Sequence, residues 1–149
     1  GDVGDVVSVN TDLLGRLIDM GTVPVLSPIG AGVGDDSSTV YNVNADAAAG
    51  VVAREMGADS AFFLTDIKGV LDGPDGDLIP ELGRGEAERL IKDGTICGGM
   101  IPKVRYALAA AGEGRAVICD GRVEHAVCEE VSTIYGGRER KSGTVVIDE

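Results

Sequence analysis

Three times along this chain an apolar run too short for a helix gives way to a glycine or polar turn and then to a helix-forming stretch. The runs are Thr22 to Ile29, Ser60 to Thr65 and Ala116 to Cys119. Short apolar runs bounded by turn residues read as strands, and strands that alternate with helices cross over the sheet and return in the same sense. The pattern predicts an α/β domain with a mostly parallel sheet and helices on its faces. The 23 glycines among 149 residues follow no fixed period, so they read as turns rather than as a low-complexity segment.

Local signals set the elements. Val3 to Val9 alternates imperfectly and reads as a strand or hairpin arm. Asn10 or Thr11 caps a helix through Asp19, closed by Gly21, with Leu13, Leu14, Leu17 and Ile18 as its apolar stripe. Thr22 to Ile29 reads as a buried parallel strand running into the loop Gly30 to Gly34. Asn42 or Asn44 caps a second helix, rich in alanine, that ends at Gly57 and can lie close to a sheet. Around Pro74-Asp75-Gly76, proline presets φ and glycine accepts a positive one, so residues 67–72 and 77–80 read as a hairpin. Helices follow over Glu86 to Lys92, from the loop 94–103 through Ala111 to a stop at Gly112, and over His125 to Ser132.

Charge narrows the partners. Thirteen basic against 25 acidic residues leave a net charge of −12, the wrong sign for gripping nucleic acid or an anionic membrane. No run approaches the roughly 20 apolar residues that span a bilayer, so the expectation is a soluble, cytoplasmic protein. Cys97, Cys119 and Cys128 are too few and wrongly spaced for a disulfide framework or a zinc site, and read as reduced thiols of the core or a pocket wall.

Several motifs are excluded by a single residue. Gly30-x-Gly32-x-Gly34 lacks the third glycine of a dinucleotide fingerprint, because Asp35 stands there. It reads as a flexible loop or as one that closes on a substrate carboxylate. Asp72, Asp75 and Asp77 lack the register of a calcium loop and read as a solvated turn. With His125 as the sole histidine, a multi-histidine metal site is excluded, and no serine or cysteine sits in a nucleophile motif.

Two clusters remain. Lys103 follows Gly98-Gly99 at a helix start, which puts a cation beside unpaired backbone N–H groups and the positive end of a helix dipole, a setting suited to polyphosphate. Asn42, Asn44 and Asp46 stand at the mouth of another helix after a strand and a glycine loop, and read as caps or as ligand-binding groups.

The stretches Tyr41-Asn42-Val43-Asn44-Ala45-Asp46, Leu64-Thr65-Asp66-Ile67-Lys68-Gly69-Val70-Leu71 and Asp93 to Val104, with its Cys97-Gly98-Gly99-Met100-Ile101-Pro102-Lys103, resemble successive signatures of the acetylglutamate kinases, within the amino acid kinase family. Val23 to Gly30 and Asp120 to Ala126 extend the resemblance over nearly the whole chain.

The resemblance implies a three-layer αβα fold like that of carbamate kinase and ATP-dependent phosphorylation of the side-chain carboxylate of N-acetyl-L-glutamate in arginine biosynthesis, with Mg2+. By resemblance Lys103 stabilises the transition state and Asp46 holds the catalytic lysines. Asn42 and Asn44 bind the acceptor, while Thr65, Asp66, Ile67, Lys68, Gly69, Val70, Leu71, Thr95, Ile96, Cys97 and Met100 form the ATP/ADP pocket. It also implies a homo-oligomer. Family members open with a Lys-x-Gly-Gly loop, whereas the first lysine here is Lys68, so the chain matches about the latter half of a typical member. Residues 1–58 are then the remnant of an acceptor-side lobe and residues 59–149 a nucleotide-binding lobe, catalytically impaired alone. The alternative is a noncatalytic nucleotide-binding or interaction module. Gly143-Thr144-Val145-Val146 resembles the family's closing strand, after a charged surface loop over Ile134 to Ser142.

Overall fold

A computed structural model describes residues 2–137 and 142–149. In chain order its elements are α1 (Thr11–Asp19), β1 (Ile29–Ala31), β2 (Val40–Asn42), α2 (Ala45–Glu55), β3 (Ser60–Thr65), β4 (Glu81–Gly83), α3 (Arg84–Lys92), α4 (Met100–Ala111), β5 (Arg115–Asp120), α5 (Ala126–Gly136) and β6 (Thr144–Ile147), with a 3-10 turn over Gly34–Asp36.

The main sheet has the order β3-β5-β6-β4. β3 runs parallel to β5 and β4 parallel to β6, while β5 and β6 are antiparallel, so the sheet is mixed with parallel pairs on both flanks. β5 can sit inside it because Ala116, Val117, Ile118 and Cys119 carry no charge, and all four are buried.

Alternation along β5 and β6 sorts their side chains between two faces. Ala116, Ile118 and Val146 join Phe63 and the buried sides of α3 and α4, through Ala87, Leu90, Val104, Ala107 and Leu108, in the larger core. Val117, Cys119 and Val145 pack on the other face with Phe62 and with Ile134 of α5. Helices thus cover both faces, giving the three expected layers.

α2 packs chiefly along α4 rather than directly on the sheet. Gly50 permits the approach, since a Cβ there would stand 3.1 Å from the Tyr106 carbonyl oxygen.

The caps read from sequence are in place: Asn10 accepts from Leu13 N–H and Asn44 from Ala47 N–H, and Gly112 ends α4 with φ +49°. The hairpin closes through the Leu71–Leu78 bridge. β3 is half-buried rather than buried, with Phe63 inside and Leu64 exposed. α5 starts one residue after His125, whose φ of +61° is left-handed, and runs four residues past Ser132.

Four expectations are corrected. Thr22 to Ile29 forms no buried parallel strand: Val23 and Val25 are 87% and 93% exposed, and the strand there, β1, begins at Ile29 and pairs antiparallel with β2. Pro24 and Pro28 lack N–H groups, and among the described residues no strand lies beside residues 22–27 to bond their backbone. Val3 to Val9 contributes one parallel bridge, Val3 to Asn42, in place of a strand. In the α1 stripe only Leu14 is buried, and Leu13 and Ile18 face outward. The charged loop expected over Ile134 to Ser142 begins instead as the last turn of α5, and its residues 138–141 lie outside the described residues.

A candidate active site where two helices begin

Geometry gathers the predicted residues at one edge of the sheet. α4 turns at Gly112 into β5, and its roughly 18 Å length nearly matches the roughly 20 Å of a six-residue strand, so α4 begins where β5 ends. α2 precedes β3 in the same way. Thr65 and Asp120, the last residues of β3 and β5, are paired in register, and Gly121 N–H donates to the Thr65 carbonyl at 2.8 Å. The carboxyl ends of two parallel strands and the amino ends of two helices therefore share this edge, where α/β folds bind ligands.

Lys103 and Asp46 meet there. Lys103 Nζ donates to Asp46 Oδ2 at 2.8 Å, with side-chain exposures of 15% and 29%. Asp46, in the first turn of α2, suits the positive end of its helix dipole; Lys103, in the first turns of α4, does not. The carboxylate offsets that mismatch and holds the ammonium at a site where anions are favoured twice over.

Along the same face of α4, three residues before Lys103, Met100 lines a cleft of about 240 Å3 with Ile67, Val70, Leu71, Gly73, Pro74, Thr95, Ile96 and Cys97. The lining is apolar except for Thr95 and Cys97. The cleft is smaller than the roughly 300–1,000 Å3 of a whole ligand pocket, so it has room for part of such a ligand rather than all of it. Thr95 N–H bonds the Asp93 carboxylate at 3.1 Å, and hydrogen bonds from Thr95 hold the Asp93 carboxyl below its usual range.

Of the residues predicted for a nucleotide pocket, Ile67, Val70, Leu71, Thr95, Ile96, Cys97 and Met100 line this cleft. Thr65, Asp66, Lys68 and Gly69 do not; Thr65 donates to the Asp66 carboxylate at 3.3 Å, and Lys68 is exposed. Gly73 and Pro74 were missed, because the proline turn signals chain reversal and says nothing about which side faces a cavity. Asn44 commits its amide oxygen to the α2 cap. Asn42 is exposed and tied by its backbone to Asp2 and Gly4. Cys97 is a pocket-wall thiol and Cys119 a core one, but Cys128 is exposed on α5.

Arg122 reaches back around the end of β5 to grip Asp120 through Nε and Nη2, at 2.9 and 2.8 Å. With the Arg122 backbone N–H, this holds the Asp120 carboxyl down to about 2.

Two other hollows have the wrong chemistry for a polyphosphate. A cleft of about 440 Å3 lies between Arg54, Gly57, Gly112 and Glu113, where helix carbonyl ends repel anions. A groove of about 450 Å3 between Leu26, Ile29, Val43 and Val52 has no charged residue in its lining. Among the described residues no group of three or more His, Cys, Asp or Glu could hold a metal, and no helix is long and apolar enough to cross a membrane.

Comparison with known proteins agrees with the fold. The model of the amino acid kinase family matches residues 1–120. An acetylglutamate kinase of Psychrobacter cryohalolentis is 48% identical over 138 residues, 91% of this chain but 45% of that protein, so the chain spans about half the length of such relatives. Among solved structures, an N-acetylglutamate synthase of Neisseria gonorrhoeae complexed with coenzyme A and L-arginine superposes with a TM-score of 0.83 at 24% identity, over 100% of this chain and 33% of that one. A carbamate kinase of Giardia lamblia bound to citric acid gives 0.68 at 22% identity, over 95% and 44%. The chain belongs to the amino acid kinase family.

Proposed function

We propose that the protein contributes the nucleotide-side half of an ATP-dependent kinase that phosphorylates the side-chain carboxylate of N-acetyl-L-glutamate. The observation that carries this reading is the Lys103–Asp46 pair at the start of α4, one helical turn from the apolar cleft, in a chain 48% identical to an acetylglutamate kinase.

The residues suit the reaction. A side-chain carboxylate with an ordinary pKa of about 4.3 is already ionised at pH 7, so it needs no general base, in keeping with a site built without histidine. Its oxygen attacks the γ-phosphorus, the bond from that phosphorus to the bridging oxygen breaks, and ADP leaves. Such a transfer needs alignment and neutralisation of charge on the moving phosphoryl group. Lys103 supplies the charge, Asp46 fixes its position, and the two helix starts add partial positive charge. The cleft seats the base of the nucleotide, with Ile67, Val70, Leu71, Thr95, Ile96, Cys97 and Met100 in its walls. Asn42 and Asn44 face the acceptor from residues 1–58, and residues 59–149 form the nucleotide side.

The described side chains form no resident metal centre. Magnesium would enter as part of the nucleotide, held by its phosphates. The reading is completed by a homo-oligomer working in the cytoplasm.

Trapping with hydroxylamine tests the acceptor. Incubated with Mg-ATP and N-acetyl-L-glutamate, the full protein should yield the hydroxamate of the acyl phosphate, and far less of it with free glutamate or aspartate. ADP release without hydroxamate, or preference for a free amino acid, would contradict the assignment.

A further inference from the structure

The hairpin that walls the cleft is missing one of its own backbone bonds. Ile79 N–H donates to the Val70 carbonyl at 2.9 Å, as one half of an antiparallel hydrogen-bonded pair. The reciprocal bond, from Val70 N–H to the Ile79 carbonyl, is replaced by a side chain from β6. Val70 N–H donates to Thr144 Oγ1 at 2.8 Å, and Thr144 Oγ1 donates to the Ile79 carbonyl at 2.7 Å. The hydroxyl thus stands between the two strands as donor and acceptor at once, and Thr144 is fully buried.

The surrounding contacts fit the same insertion. Gly143 N–H donates to the Lys68 carbonyl and Val145 N–H to the Pro80 carbonyl, both at 2.9 Å, so the start of β6 crosses the base of the hairpin and holds both arms. Gly69 has φ +149°, and a Cβ there would stand 2.7 Å from Thr144 Oγ1 and 2.6 Å from Leu78 Cδ1. On the far side, Ser142 Oγ donates to the buried carboxylate of Glu130 on α5 at 3.0 Å. Of the residues beside the hydroxyl, Val70 itself lines the cleft, as do its neighbour Leu71 and the turn residues Gly73 and Pro74.

We infer that Thr144 is a positioning residue for nucleotide binding: its hydroxyl sets the spacing of the two hairpin arms and with it the wall of the cleft. This rests on the reading of the cleft as a nucleotide pocket. Valine has nearly the shape of threonine but leaves Val70 N–H and the Ile79 carbonyl without a partner. The arms then move to pair with each other or with water, and the wall moves with them.

Calorimetric titration with Mg-ADP separates this role from general stability, because loss of folded protein lowers the stoichiometry while a displaced wall raises Kd. Thr144→Val is expected to raise Kd about tenfold at unchanged stoichiometry, and Thr144→Ser, which keeps the hydroxyl, to stay within about twofold of the unsubstituted protein. If Thr144→Val does not fold, Thr144→Ala carries the same comparison, since its smaller side chain leaves room for water to pair Val70 N–H; about threefold weaker binding is then expected. Equal Kd values, or a lowered stoichiometry alone, would overturn the positioning role while leaving the pocket intact. Failure of the unsubstituted protein to bind Mg-ADP would overturn the pocket reading and this role with it.

Discussion

Lys103 Nζ and Asp46 Oδ2, 57 positions apart in the sequence, lie 2.8 Å apart and join the first turns of two helices. A lysine at the positive end of its own helix is locally unfavourable, and such departures from local preference mark functional sites when something else offsets them. Here the offset is one carboxylate. Both groups are only partly buried, so the pair contributes at most about 1 kcal/mol to stability. Its consequence is positional, since it keeps the ammonium over the edge where β3 and β5 end.

Asp46→Asn keeps the shape and removes the charge. In the intact enzyme turnover should fall roughly 100-fold, the cost of a misplaced catalytic group, while the thermal midpoint moves little. Steady-state kinetics beside a melting curve check this. A large drop in melting temperature with normal turnover would make Asp46 a structural residue.

The Asp120 carboxyl titrates near 2 because Arg122 bonds it with both its guanidinium and its backbone N–H. A carboxyl whose folded pKa lies below its unfolded value adds stability above about pH 4, and that contribution is lost as pH falls from about 4 to 2. Carboxyl NMR titration should place Asp120 near 2 and return it towards 4 in Arg122→Ala. Denaturation midpoints of Asp120→Asn should be less pH-dependent across that interval.

Packing of α2 against α4 depends on the missing side chain at Gly50. Gly50→Leu should cost about 1–3 kcal/mol by overpacking, and it should also weaken phosphate-dependent binding by moving Asp46 away from Lys103. Urea denaturation with a parallel Mg-ADP titration reads both effects.

Leu108 is 1% exposed and Val25 93%. Truncation of each to alanine should therefore differ sharply: about 2–5 kcal/mol for Leu108→Ala, from lost burial and the cavity left behind, and within about 0.5 kcal/mol for Val25→Ala. A large loss at Val25 in denaturation experiments would show that residues 22–28 are covered in solution.

Local chemistry was legible in the sequence. Asn10, Asn44 and Gly112 mark helix ends because caps act within one turn, and β3 falls on the six predicted residues because it is an apolar run between turn signals. Thr22 to Ile29 misled because an apolar run shows a need for burial but does not supply the neighbouring strand that would satisfy it. β4, three residues long, is too short for any period to show. For the site, the residue types at Lys103, Asp46 and the cleft were readable, as was their common edge in outline. Thr144 was not, because its bond to Val70 spans 74 positions and depends on β6 crossing the hairpin.

The most direct test of the catalytic assignment is Lys103→Ala in the intact enzyme, with turnover and Mg-ATP affinity measured on the same preparation. A lysine that acts on the moving phosphoryl group rather than on the bound nucleotide should cost roughly 100- to 1000-fold in kcat and only a few-fold in Kd. Equal loss of both, or turnover close to that of the unsubstituted protein, would contradict the role given to Lys103.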